Sequence, residues 1–435
     1  MLIQELYKIY KQFPSVQTDT RKLKQGDIFF ALKGDNFNGN QFAMQAIESG
    51  AAIAVIDEAA YAIEGKTFLV PDVLKALQDL AKYHRKQFSI PFVAITGSNG
   101  KTTSKELVNV VLSAAFRTST TEGNLNNHIG IPLTILKIKG DAEIAVIEMG
   151  ANHQGEIAGY CEYVQPTHGI ITNCGKAHLE GFGGEAGVRK GKGELFDYLR
   201  AHNGTAFIMA DYDYLQEMSK GIKEVVCYGS NEKSVASCSK GENKITVGAV
   251  AKSDPFLQVQ IASDNKIIAT QLVGDYNLPN VLLAVALGGY FKVPNEKIYT
   301  AIESYVPSNS RSQLIVKDDN QIILDAYNAN PSSMKLAIEN FNAIKASQKI
   351  LMLGAMAELG EESLEEHKAI VSLLIKYAFD TVVLVGGDFQ KIDHPFVKFN
   401  NAADAKTWFN EQQFKNCHIL IKGSRSMKME TILNN

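Results

Sequence analysis

The chain is poor in the features that mark several protein classes. Its five cysteines (161, 174, 227, 238 and 417) include no C-x-x-C pair and are odd in number, so they read as reduced thiols in a reducing cytoplasm. No apolar run approaches the length of a membrane span. The segment Met1 to Glu5 has no basic stretch leading into an apolar core, so no signal peptide is expected. Acids and bases nearly cancel to a net charge of -3, which argues against a nucleic-acid footprint and against a membrane-surface patch. Internal repeats and low-complexity tracts are also missing. What remains is an ordinary globular composition, 45% hydrophobic and 21% charged over 435 residues. That length suggests about three domains of roughly 150 residues each.

The most informative stretch is Phe92 to Thr103. Four apolar residues, Phe92-Val93-Ala94-Ile95, run into Thr96-Gly97-Ser98-Asn99-Gly100 and then Lys101-Thr102-Thr103. A helix is expected next, with Leu107, Val110, Val111, Ala114 and Ala115 on its apolar face. A strand, a glycine turn and a helix N-terminus together cradle a phosphate. Lys101 supplies a cation for the β/γ-phosphates, and the Thr102 hydroxyl a ligand for Mg²⁺. The pattern G-x-x-x-x-G-K-[ST] is only half met, because Ile95 stands where its first glycine belongs. A helix-capping turn with a surface lysine is the simpler alternative, yet Lys-Thr-Thr directly after glycine meets every requirement of a nucleotide triphosphate site.

Around this stretch the chain alternates strands and helices, so we expect an α/β protein of three domains. Residues 1–89 form a small α/β domain with strands at 27–32 and 52–56 and a polar loop, Asp35 to Asn40, around Phe37. Residues 90–308 form a central, mainly parallel sheet. Ligands gather beyond the carboxyl ends of such strands, which singles out two tips. Ile144-Ala145-Val146-Ile147 ends at Glu148, an acid placed to hold Mg²⁺. Gly169-Ile170-Ile171-Thr172-Asn173 leads to a loop carrying His178. The glycine-spaced run Gly187 to Phe196 reads as a helix start with surface lysines, and 240–272 as short strands appended to the sheet. Asn277 and Asn280 either cap the helix that follows or reach a base edge. Residues 309–435 form a Rossmann-like domain lacking G-x-G-x-x-G, hence no dinucleotide cofactor. One of its helices is announced by a capping box, Ser363-Leu364-Glu365-Glu366.

Segments along nearly the whole chain resemble the Mur ligases, ATP-dependent enzymes that form amide bonds in peptidoglycan assembly. They are Asp19-Thr20-Arg21, Phe30 to Gly34, Gly123 to Asn127, Thr96 to Thr102, Glu148 to Ile157, Ala177 to Gly183, Lys192-Gly193-Glu194, Asp325 to Pro331, Met356 to Gly360 and Lys422 to Arg425. Within the family, the resemblance implies the activity that adds D-alanyl-D-alanine to a UDP-muramoyl-tripeptide. The diamino-acid-adding sibling carries Asp-Asn-Pro-Arg, which is missing between 380 and 435. The resemblance implies ATP bound by Gly97, Ser98, Asn99, Gly100, Lys101, Thr102 and Thr103, with Asn277 and Asn280 on the adenine side. Arg311, Asp325 and Asn328 would reach the nucleotide from the third domain as it swings in. It implies Mg²⁺ held by Thr102, Glu148, His178 and a carbamylated Lys192, Lys190 being the less favoured lysine. It implies UDP-sugar contacts from Thr20, Arg21, Lys33 and Asn36, and substrate contacts from Asn124, Asn126 and Asn127. Lys101, His178 and Lys192 carry the chemistry in this reading. A cytoplasmic monomer is expected. One departure stands out: the family's Gly-Asp-Met is here Gly354-Ala355-Met356.

The implied reaction phosphorylates the peptide carboxylate to an acyl phosphate, which the dipeptide amine attacks. Two rivals accompany it. A folylpolyglutamate-type synthetase shares the ATP core but fits the N-terminal segments and Ala-Asn-His-Gln-Gly-Glu poorly. A nucleotide-gated switch would bind a partner and form no amide.

Overall fold

The computed structural model describes residues 2–238, 246–308 and 310–433. Asn309, where the third domain is expected to begin, and 240–245 of the expected strand segment lie outside the described residues. Three sheets carry the α/β architecture, each with helices packed on it. The first is parallel, in the order Val16–Gln17, Ile28–Phe30, Ile53–Ile56, Thr67–Leu69. Its last helix, Val73–Arg85, buries Val73, Leu77, Leu80 and Ala81. Arg85 closes that helix and is itself buried. Its guanidinium donates to the carbonyls of Val164 (2.8 Å), Phe88 (2.9 Å) and Gln165 (2.9 Å) and lies 3.7 Å from the Phe92 ring centroid.

The central sheet has nine strands, ordered Ile267–Val273, Phe256–Ile261, Thr246–Ser253, Glu224–Gly229, Thr205–Met209, His168–Ile171, Phe92–Thr96, Ile144–Glu148, Thr118–Thr120. Phe92–Thr96 and Ile144–Glu148 are buried along their whole length, as strands covered by helices on both faces must be. From Phe92–Thr96 the chain runs out to Thr118–Thr120, back to Ile144–Glu148, then crosses to His168–Ile171 on the other side. That reversal opens a crevice beyond the tip of Phe92–Thr96, where open α/β sheets bind ligands. The strands from Thr246 to Val273 pair antiparallel and extend the sheet, as the short apolar runs suggest.

The third sheet is ordered Gln313–Lys317, Asn320–Asp325, His418–Lys422, Lys349–Gly354, Thr381–Val385, Val397–Phe399, with only its first pair antiparallel. This is the Rossmann-like arrangement expected.

Four local expectations are corrected. The helix Lys101–Ser113 buries Leu107, Val108, Val111 and Leu112, whereas Val110 is half-buried and Ala115 exposed. Packing against a sheet on one side and the helix Leu278–Tyr290 on the other rotates the buried face. Ser363 lies inside its helix, behind the 3-10 turn Gly360–Glu362, and caps nothing with its side chain. A capping box forms instead at Asn330 and Ser333. Cys227 and Cys238 are joined in a disulfide, while Cys161, Cys174 and Cys417 are free and buried. The pair is made by folding the helix Glu232–Cys238 back onto its own preceding strand, a closure that C-x-x-C counting does not detect. Finally, Lys192 is not a surface lysine: it is 1% exposed.

Candidate active site

Backbone conformation fixes the phosphate loop. Gly97 has φ +142° and Gly100 φ +78°, regions open chiefly to glycine. A Cβ on Gly97 would lie 2.0 Å from Thr172 Oγ1, and one on Gly100 2.7 Å from Asn280 Oδ1. The loop is fastened to the neighbouring strand tip. Ser98 N donates to Asn173 O (2.9 Å), Asn99 N to Asn173 Oδ1 (3.0 Å), and Thr172 Oγ1 to Asn99 O (2.6 Å). Lys101 curls back, its Nζ donating to the carbonyls of Gly97 (2.6 Å) and Ser98 (3.1 Å). Enclosure by the loop pushes its pKa down to about 8, with Glu148 opposing the shift and Arg311 adding to it. A lysine so held is poised to exchange carbonyl partners for phosphate oxygens.

Glu148 sits 1% exposed at its strand tip. Its Oε1 accepts from Thr102 Oγ1 (3.1 Å) and Asn126 Nδ2 (2.7 Å), while Oε2 is buried with no hydrogen-bond partner. A buried carboxylate oxygen without a partner is costly, and beside a threonine hydroxyl it makes an all-oxygen donor set that suits a hard divalent cation. Among the described residues, no three His, Cys, Asp or Glu side chains gather closely enough to hold a metal by themselves. His178 has φ +53° and begins the short helix Leu179–Phe182. Its Nδ1 is 2.5 Å from Glu358 Oε2, in the loop that follows strand Lys349–Gly354 of the third sheet, without hydrogen-bond alignment. This pairing with His178 is the main reason the Glu358 carboxyl titrates below its ordinary range.

Lys192 lies in the helix Glu185–Ala201. The glycines of that helix are explained by packing: a Cβ on Gly191 would fall 2.5 Å from the Phe182 ring, and one on Gly187 1.8 Å from the Phe182 carbonyl. Close approach buries Lys192, whose Nζ donates to Ala151 O (3.0 Å) and stands 4.8 Å from the Phe182 ring centroid. Desolvation, reinforced by Lys101, pushes its pKa down to about 7. Lys190, the other candidate, is exposed.

Both larger sheets contribute to one cavity of about 1160 Å³. Ser98, Asn99, Gly100, Lys101, Thr102, Thr103, Glu148 and His178 line it from the central sheet, and Arg311, Asp325 and Asn328 from the third. Lys192 reaches its wall only through Ala151. Asn330 Nδ2 donates to Asn99 Oδ1 (2.7 Å), and Lys176 N to Ser332 Oγ (3.0 Å), so the third unit meets the phosphate loop directly. Asp325 is held by Lys422 (2.5 Å) and by Ser312 N (3.1 Å), and the Arg311 guanidinium lies 3.6 Å from the Tyr327 ring centroid. Asn277 and Asn280 line the cavity too, but their amides are already engaged. Asn277 Nδ2 donates to Val273 O (2.9 Å), and Asn280 bridges Asn277 Oδ1 and Ser104 Oγ (both 2.9 Å). They lock two helices together as much as they face a ligand. Met209, Asp211, Tyr212, Leu336 and Asn340 also line the cavity. Sequence reasoning missed these; the aromatic pair at 212 and 214, stacked at 5.7 Å, was the only signal.

The remaining expected substrate residues are more dispersed. Asn126 and Asn127 line the cavity; Asn124 is exposed and does not. Asn127 Oδ1 accepts from Gly130 N (2.9 Å) and shapes the loop. Thr20, Arg21, Lys33 and Asn36 stand on the first unit, outside the cavity lining. Arg21 pairs with Asp19 (2.9 Å), Lys33 with Asp57 and Glu58 (both 2.9 Å), and Asn36 lies exposed in the turn between Lys33–Gly34 and Phe37–Asn38.

Comparison with known proteins places this arrangement. Residues 12–85 match the family model for the Mur ligase catalytic domain, 95–288 the Mur ligase middle domain, and 310–424 the Mur ligase glutamate ligase domain. The UDP-N-acetylmuramoyl-tripeptide–D-alanyl-D-alanine ligase of Escherichia coli (strain K12) is 35% identical, over 96% of this chain and 92% of that one. Among solved structures, MurF from Acinetobacter baumannii superimposes with a TM-score of 0.84 at 29% identity, covering 96% and 92% of the two chains. MurF ligase from Thermotoga maritima in complex with ADP gives 0.83 at 25% identity, covering 96% of each. With the phosphate loop, the buried carboxylate and all three sheets accounted for in order, the chain belongs to the Mur ligase family.

Proposed function

We propose that this Mur ligase joins D-alanyl-D-alanine to the terminal carboxylate of UDP-N-acetylmuramoyl-tripeptide at the expense of ATP, through an acyl phosphate. The product is the pentapeptide precursor of peptidoglycan, which ties the enzyme to cell shape and division. The observation that carries the reading is the single cavity shared by the phosphate loop, Glu148 and the third sheet. A carboxylate repels nucleophiles and oxide leaves poorly, so phosphorylation must come first, and that step brings two anions together. Lys101 and the loop amides stabilise the charge on the transferring phosphoryl group. Thr102 and Glu148 would hold Mg²⁺, joined by His178 once it leaves Glu358 and by Lys192 as a carbamate. Bound there, Mg²⁺ supplies charge neutralisation between triphosphate and carboxylate. A neutral amine is what adds CO₂, and burial gives Lys192 that form near neutral pH. Asn277 and Asn280 would face the adenine end, with Arg311, Asp325 and Asn328 closing over the nucleotide to exclude water.

In this reading residues 1–89 anchor the UDP-sugar through Thr20, Arg21, Lys33 and Asn36, 90–308 hold ATP, and 309–435 close the site. Asn124, Asn126 and Asn127 lie along the path of the peptide. A cytoplasmic monomer belongs to the same reading; among the described residues no helix is long and apolar enough to cross a membrane. Mass spectrometry of a reaction containing ATP, UDP-muramoyl-tripeptide and D-alanyl-D-alanine tests it. One new amide with ADP and phosphate is expected. Phosphate release stimulated by a folate acceptor instead, or no amide at all, overturns the reading.

A further inference from the structure

The acceptor's nucleophile arrives as an ammonium ion, in a cavity whose walls already carry the cations Lys101, Arg311 and Lys422. Something must draw one positive group toward the others. Glu148 is buried, with Oε1 committed to Thr102 and Asn126. Of the other acids lining the cavity, Glu156 and Asp211 accept backbone N–H groups and Asp275 is exposed. The acids presented by the third domain are mostly matched to lysines: Asp325 to Lys422, Asp388 to Lys391, Glu366 to Lys176, Glu339 to Lys335. Glu358 differs. Its side chain is half exposed, and its ion-pair contact among the described residues is a histidine, His178, on the wall of the catalytic cavity.

The segment that carries Glu358 is held firmly. Gly354 ends its strand where a Cβ would meet Met429 at 2.7 Å. Ala355 N donates to Val385 O (2.9 Å), and Ala355 O accepts from Ser424 Oγ (2.5 Å). Met356 N donates to Nε2 of the fully buried His367 (3.0 Å), whose Nδ1 faces Ser363 O (2.7 Å). After these anchors Glu358 takes φ +63°, a conformation that costs a non-glycine residue energy and is kept where the surroundings demand it. From this loop the carboxylate reaches across to His178 of the central unit.

Resting on the functional reading above, we infer that Glu358 is the ammonium anchor of the acceptor. Its carboxylate exchanges His178 for the free amino group of D-alanyl-D-alanine and holds that nitrogen beside the activated carboxyl. The acceptor class this selects is a small peptide with an unblocked, positively charged N-terminus.

The test uses the full chain with ATP and UDP-muramoyl-tripeptide saturating and D-alanyl-D-alanine varied. Glu358→Gln is expected to raise KM for the dipeptide at least ~10-fold, the loss of one charge-assisted contact, leaving KM for ATP and for the tripeptide unchanged. Glu358→Asp keeps the charge and is expected to fall between the two, which decides the matter should the Gln variant fold poorly by circular dichroism. Propionyl-D-alanine, which lacks the ammonium, is expected to inhibit both forms equally. An unchanged dipeptide KM in Glu358→Gln, or KM values for ATP and dipeptide rising together, overturns the anchor while leaving the ligase reading intact. A wild-type enzyme that forms no amide with the dipeptide sinks both.

Discussion

Two lysines are equally buried in the helices of the central domain and live in opposite surroundings. Lys105, on the phosphate-loop helix, donates to Glu106 Oε1 (2.6 Å) and to Thr121 O (2.7 Å). Lys192, on the glycine-spaced helix, finds one carbonyl and an aromatic face. The first has an anionic partner and is therefore a fixture of the fold. The second has none in direct contact among the described residues, and burial and Lys101 push it toward the neutral amine. Burial alone does not single out a candidate functional lysine; burial without a counter-ion does.

The largest effect should come from Lys192→Ala. Loss of at least ~10²-fold in turnover is expected, on the scale of removing one preorganised electrostatic group, with partial rescue by short carboxylates that refill the gap, read as phosphate release. Full activity would put Lys192 in the same class as Lys105. Next, Lys105→Met should lower unfolding free energy by about 1–3 kcal/mol, because the Thr121 carbonyl is left without its donor. Turnover at 25 °C should hold; urea denaturation and initial rates read the two separately, and a collapse of rate would break the contrast. A pH series sharpens it further. Lys192 releases its proton near pH 7 when folded, whereas an unfolded lysine does so near ~10.4. Between those values the unfolded chain binds more protons, so stability contributed at this site rises with pH, and the burial penalty is complete below about 7. Lys192→Met should flatten that part of the urea-midpoint slope. The smallest effect is expected from Glu106→Gln, about 1 kcal/mol or less, since this carboxylate is one-third exposed.

How far the sequence could be read follows from what each residue depends on. Lys101, Thr102 and Glu148 were legible because strand tips and glycine turns are local, and the reversal of strand order brings those tips together. Among the glycine-spaced lysines Lys190 is exposed as expected, but Lys192 misled, since its burial depends on Phe182 lying under Gly191, a contact no periodicity reports. Asp211, Tyr212, Leu336 and Asn340 carry no motif and meet only through folding. Ser363 looked like a cap because spacing alone cannot tell an N-cap from the first turn behind a 3-10 segment. The Cys227–Cys238 pair shows the same limit, set by a helix doubling back.

Arg85 has a mechanical implication. By gripping the carbonyls of Val164 and Gln165 while ending the first unit's last helix, it rivets the first unit to the central one. Under the function proposed above, closure would then fall to the third unit, with the first unit and the phosphate loop keeping one fixed span.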